Sequence, residues 1–203
     1  YRAKEDGSLY VNEWYNNQLG NHYYYGQKGE GYSGLHEVDG KTYYFSWGEV
    51  CTNQCVSENG KSYYCDHEGS VSDISGDGWH QVGDYYFYIK NGQHLSNAVE
   101  KIGDSYYGFD YRGVMYANRD FSIWNFESQM SSDYRAKEDG RLYTNEWYTD
   151  EWEVFYYYGE DGKAYSGLHE IDGIQYCFYE YCRRYQDQSV TIDGKSYYCK
   201  PDG

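Results

Sequence analysis

The chain has 203 residues, a formal net charge of −16, 25% charged residues and only 39% hydrophobic ones. Leu, Ile, Val and Phe number 30, below the roughly one-fifth that usually marks a globular domain, yet there are 31 tyrosines and six tryptophans. An ordinary aliphatic core, a membrane helix of about 20 apolar residues, and affinity for a polyanionic nucleic-acid backbone are all excluded on these grounds.

Along the chain the first pattern is a long repeat. YRAKEDGSLYVNEWY at Tyr1–Tyr15 returns as YRAKEDGRLYTNEWY at Tyr134–Tyr148, and GYSGLHEVDGKTYYF at Gly31–Phe45 returns as AYSGLHEIDGIQYCF at Ala164–Phe178. After a one-residue insertion, NGKSYYCDHEG at Asn59–Gly69 returns as DGKSYYCKPDG at Asp193–Gly203. Residues 1–133 are therefore one long copy and 134–203 a second, incomplete one, in a chain expected to form a single repeat solenoid over 1–203. No signal peptide is visible, and the start inside a repeat suggests a mature fragment of a longer protein.

A shorter period lies inside the long one: a turn glycine followed by an aromatic cluster, at Gly40, Gly60, Gly83, Gly103, Gly173 and Gly194. Asp-Gly and Asn-Gly between short aromatic runs predict two-residue hairpins, because both turn residues then sit at positive φ. Two longer units carry YYYG at Tyr23–Gly26 and Tyr156–Gly159, and Met115–Asp133 fits the period poorly, as a connector or an elongated unit. One hairpin is marginal in water, so the expected fold is all-β: a β-solenoid of stacked short β-hairpin repeats of about 20 residues, with most tyrosines in its core.

These units resemble the cell-wall-binding and glucan-binding repeats of Gram-positive surface proteins, a superfamily that includes choline-binding repeats and the repetitive oligopeptide region of clostridial toxins. The carrying segments are GYSGLHEVDGKTYYF, GWHQVGDYYFYIKNG (Gly78–Gly92), KIGDSYYGFDYRG (Lys101–Gly113) and IDGKSYYC (Ile192–Cys199). The resemblance implies a non-catalytic, extracellular module, secreted or held at a bacterial surface, that binds an α-glucan-like carbohydrate or cell-wall polymer and anchors its parent protein. Its alternatives are an adhesin or toxin-type segment that binds host glycan or host protein, and a structural stalk without ligand.

A choline cage needs aromatics from both strands of a unit, to surround a quaternary ammonium with ring faces. The first cage position reads Leu35, Val56, Trp79, Val99, Leu168 and Val190, and the second Thr42, Ser62, Tyr85, Ser105, Gln175 and Ser196. Only Trp79 with Tyr85 supplies two rings. Sugars fit more widely, since they stack on aromatics and hydrogen-bond at a polar rim. Tyr32, Tyr43, Tyr44, Tyr165 and Tyr176 are the further platform candidates, with Lys41, Gln81, His36 and His169 at the rim.

Cys51, Cys55, Cys65, Cys177, Cys182 and Cys199 are disulfide candidates whose pairing the sequence cannot choose. Cys51, Cys55, Cys65 and His67 are zinc-type ligands, but Pro201 stands where the second copy would repeat His67, and no metal or cofactor is expected. No H-E-x-x-H, G-x-S-x-G or Walker pattern is present, so no catalytic residue is predicted and the acidic excess reads as solubility.

Overall fold

In the computed structural model, residues 1–127 and 129–202 are described. Ser128, inside the poorly fitting stretch, and Gly203, at the end of the second copy, lie outside the described residues. The described residues form β-strands and turns without a helix, so none of them builds a helix long and apolar enough to cross a membrane. The chain divides into two compact units: Tyr1–Asn97 with Phe109–Met115, and Ala98–Gly108 with Tyr116–Gly203.

The first unit begins with β1 (Glu13–Asn16), β2 (His22–Tyr25), β3 (Gly34–Val38), β4 (Lys41–Ser46) and β5 (Glu49–Val50). They form one antiparallel sheet in the order β1-β2-β5-β4-β3. Next come β6 (Gln54–Glu58), β7 (Lys61–Cys65) and β8 (Val71–Asp73), then β9 (Gly78–Val82), β10 (Tyr85–Lys90) and β11 (Gln93–His94), each set a three-stranded sheet. These two sheets stack, because Tyr64 of β7 and Phe87 and Ile89 of β10 close one core cluster with Cys55, Ile74 and Val114.

The second unit is a run of two-stranded hairpins. They are β12 (Ala98–Ile102) with β13 (Ser105–Phe109), whose last residue falls in the first unit, β14 (Arg119–Asn125) with β15 (Met130–Ala136), β16 (Glu146–Thr149) with β17 (Phe155–Tyr158), β18 (Gly167–Ile171) with β19 (Ile174–Phe178), and β20 (Gln188–Ile192) with β21 (Lys195–Cys199). The stretch that fits the period poorly supplies the longest hairpin, with Arg119 opposite Ala136 and Asn125 opposite Met130.

The six glycine turns are hairpin turns of two kinds. At Asp39-Gly40, Asn59-Gly60, Asp172-Gly173 and Asp193-Gly194 both residues have positive φ, between 51° and 80°. At Gly83-Asp84 and Gly103-Asp104 only the glycine does, at 57° and 62°, the other turn form that matches strand twist. The YYYG glycines have a different task. A Cβ on Gly26 would lie 2.5 Å from the Tyr32 ring, and one on Gly159 2.6 Å from the Tyr165 ring.

A five-residue turn recurs between paired residues, joining β7 to β8 and β16 to β17. In Asp66–Ser70 the Asp66 amide donates to the Ser70 carbonyl, and the Gly69 amide returns to the Asp66 carbonyl, both at 3.0 Å. Asp66 Oδ1 also accepts from the Glu68 and Ser70 amides at 2.9 and 2.8 Å. Asp110 and Asp150 hold their turns the same way. Part of the acidic excess is therefore structural, as Asx caps for turn amides, and not a solubility device alone.

The core also departs from expectation. Phe45, Phe87, Phe109 and Phe178 are at most 2% exposed, whereas only Tyr25, Tyr64, Tyr134 and Tyr158 are buried among the tyrosines described. Most tyrosines surround the phenylalanines half-buried, so that the ring packs while the hydroxyl reaches water or a partner.

Candidate functional site

On one face of the first sheet, five rings gather around Phe45. Strand alternation puts Tyr43 beside Phe45 on this face, and its cross-strand partner His36 follows. Trp14 meets Tyr24 and Tyr43 edge-on at 5.1 and 5.3 Å, and Tyr32 stacks on His36 at 4.0 Å. The second copy repeats the set: Trp147 against Tyr157 and Tyr176 at 5.1 and 5.0 Å, Tyr165 on His169 at 3.8 Å, all around Phe178.

At the edge of the first set lies an open cleft of about 520 Å³, within the range of ligand sites. Trp14, Tyr43 and Val50 give it an apolar floor, and Asn16, His22, Lys41, His67 and Glu68 a polar rim. The rim is internally organised: His22 Nδ1 is 2.8 Å from Asn16 Oδ1, and the Lys41 ammonium is 3.3 Å from Glu68. The Trp14 indole N–H donates to Asp39 at 3.3 Å, which fixes the ring's orientation. Flat rings beside hydrogen-bonding groups of both polarities suit a polyhydroxylated ring.

Of the predicted residues, the cleft contains Tyr43 and Lys41. Tyr32, His36, Tyr165, His169 and Tyr176 belong to the two ring clusters, where the histidines bond to the Ser33 and Ser166 carbonyls at 3.0 and 2.9 Å. Tyr44 faces the opposite side of β4, where burial pushes its phenol above the ordinary value. Gln81 donates to the Gly83 carbonyl of its own turn at 2.9 Å. Trp79 and Tyr85 are each 41% exposed but lie on opposite faces of the β9–β10 hairpin: Trp79 sits opposite Tyr88, and Tyr85 packs on Tyr64. The two are not gathered into one cage.

Trp14 escaped the sequence reading because it lies outside the glycine-turn units. The recurrence of N-E-W-Y at Asn12–Tyr15 and Asn145–Tyr148 is the signal that points to it. The highly exposed Trp47 and Trp152 were missed as well; Trp152 lines a separate cleft in the second unit with Tyr148, Tyr156 and Arg183.

All six cysteines, the disulfide candidates, are buried free thiols. They serve as small apolar packers: Cys55 in the cluster around Phe87, Cys177 and Cys199 in one around Val190. Burial pushes the Cys55 and Cys65 thiols up to about 12. Among the described residues no three His, Cys, Asp or Glu side chains are grouped as a metal requires, so Cys51, Cys55, Cys65 and His67 make no such set.

Fold and cleft together define a stacked β-hairpin repeat protein with an aromatic groove. No protein-family model matches the chain. Glucosyltransferase-I of Streptococcus downei is 28% identical over 190 residues, which is 91% of this chain and 11% of that protein. Among solved structures, CbpJ from Streptococcus pneumoniae TIGR4 and choline binding protein F from Streptococcus pneumoniae each match with a TM-score of 0.50 and 20% identity over 90% of this chain. The chain spans 61% and 60% of those two structures. It shares the fold of those two structures, and its sequence likeness covers only a small part of the glucosyltransferase.

Proposed function

We propose that this chain is a non-catalytic carbohydrate-binding module that holds its parent protein on an α-glucan or related cell-wall polymer outside the cell. The observation that carries the reading is the open Trp14–Tyr43 cleft with its polar rim. The sequence likeness to a segment of a glucosyltransferase supports glucan as the polymer. A single shallow cleft binds weakly, and a polymer that engages several copies or several molecules compensates through effective concentration.

A choline-type cation is the second reading. It is favoured by the Arg184 guanidinium, which lies 4.2 Å from the Phe155 ring and within 6 Å of Trp147 and Tyr176 in the second copy. The Lys41 ammonium at the rim of the first cleft speaks against a cation there, because like charges repel.

Retention on immobilised dextran and on purified streptococcal cell walls tests the reading, with choline as competitor. Retention on dextran that choline leaves intact is the expected result. Trp14→Ala and Tyr43→Ala should each weaken it by about 30-fold, as loss of a central aromatic contact does. Retention on mammalian glycans alone would assign the module to host recognition, and release by choline would assign it to a cation.

A further inference from the structure

The first and second copies build the same ring cluster but fill the adjoining space differently. In the first, Phe45 bridges Val50, and the Cys51 amide donates to the Tyr44 carbonyl at 2.8 Å. In the second, Phe178 bridges Arg184, and the Tyr185 amide donates to the Cys177 carbonyl at 2.8 Å. Arg184 therefore holds the backbone position of Val50, one of the residues that floor the open cleft. From there its guanidinium carbon reaches 4.2 Å from the centre of Phe155, 5.4 Å from Trp147 and 5.9 Å from Tyr176. By the repeat offset those three rings correspond to His22, Trp14 and Tyr43, which line the first cleft.

Two neighbouring exchanges agree with this. His22 becomes Phe155, and Lys41 becomes Ile174, so the second site loses two basic groups where it gains a central cation. A guanidinium over ring faces is held by their quadrupoles, more firmly when desolvated. Arg184 Nε is buried without a hydrogen-bond partner among the described residues, so ring contact has replaced hydration at that atom. A surface arginine with no other task would keep its donors in water.

We propose that Arg184 is an internal ligand: its guanidinium occupies the second aromatic site and closes it to the sugar that the first site accepts. The part that concerns sugar rests on the carbohydrate reading of the first cleft; the occupied state of the second does not. The chain thus has one open and one self-filled site, and residue 184 sets that number.

Indole N–H resonances of the full chain test this, with Trp14 and Trp147 assigned through Trp14→Phe and Trp147→Phe. The probes are isomaltotetraose and tetramethylammonium chloride. In the wild type, isomaltotetraose should shift Trp14, and neither probe should shift Trp147. In Arg184→Val, which installs the first-copy residue, both probes should shift Trp147, and the number of isomaltotetraose molecules bound should rise from one to two. Arg184→Lys, which keeps a cation, should leave Trp147 unresponsive, and Val50→Arg should abolish the Trp14 response. A wild-type Trp147 shift equal to that of Trp14, or a Trp147 silent to both probes in an Arg184→Val protein with a dispersed spectrum, would overturn the proposal. If wild-type Trp14 ignores isomaltotetraose, the carbohydrate reading fails, and the tetramethylammonium response of Trp147 in Arg184→Val still decides whether Arg184 fills its site.

Discussion

Phe45→Ala should open the first ring cluster. Phe45 is 1% exposed and has five rings within 6.4 Å of its centroid, those of Trp14, Tyr24, Tyr32, His36 and Tyr43. Truncating a buried phenylalanine removes about 3–5 kcal/mol, as lost transfer energy plus a cavity. Each aromatic pair adds about 0.5–1.5 kcal/mol beyond area, but these pairs share one ring and do not sum. The upper half of the range, about 4–5 kcal/mol, is therefore expected. Native-state amide exchange resolves where the loss falls. Amides of β1–β5 should exchange about 10³-fold faster, while those of β18–β21 keep their rates, since stacked repeats couple only to neighbours. Phe178→Ala should give the converse pattern. A loss under about 1 kcal/mol, or a uniform acceleration along the chain, would refute the idea that these phenylalanines are local hubs.

Glu153 has φ 60° at the turn position where the first copy has Gly20 at 84°. Glu153→Gly should raise stability by about 0.5–1 kcal/mol, relief of left-handed strain less the glycine's entropy, read as a higher urea midpoint. Burial holds His94 below its ordinary pKa of 6.5, so the unfolded chain takes up that proton first. Its contribution is complete above about pH 6.5 and is lost as pH falls through the lower folded value; the urea midpoint should fall between pH 7 and 5, and less so in His94→Gln. Cys55 and Cys65, with thiols near 12, should resist a thiol reagent at pH 8 in the folded protein. All six thiols of unreduced protein should react in urea; fewer would reveal disulfides.

The hairpins were legible because each is encoded locally. Asp39-Gly40 between Val38 and Lys41 carries its own turn geometry, and nothing distant is needed to read it. The long β14–β15 hairpin was obscure because residues 126–129, between its strands, carry no Asn-Gly or Asp-Gly pair. The site was less legible than the fold, because a cleft is made by strands far apart in sequence. Of the cleft's lining, Tyr43 and Lys41 were candidates because they follow a turn glycine; Trp14, about 30 residues earlier, was not. Trp79 and Tyr85 looked paired by motif spacing, but strand alternation sends them to opposite faces. The role of Arg184 was hidden for a further reason: a guanidinium on ring faces has no sequence spacing, only a backbone position shared with Val50.

Most ladder bonds in this molecule close within a hairpin of about a dozen residues, and the five-residue turns close on themselves. That locality bears on mechanical behaviour. A chain pulled from its ends should yield one hairpin at a time, in a series of small steps and not one large rupture, and each hairpin should re-form quickly because its loop is short. A module built this way would lengthen under shear and recover, which suits a tether that must stay attached while its surroundings flow.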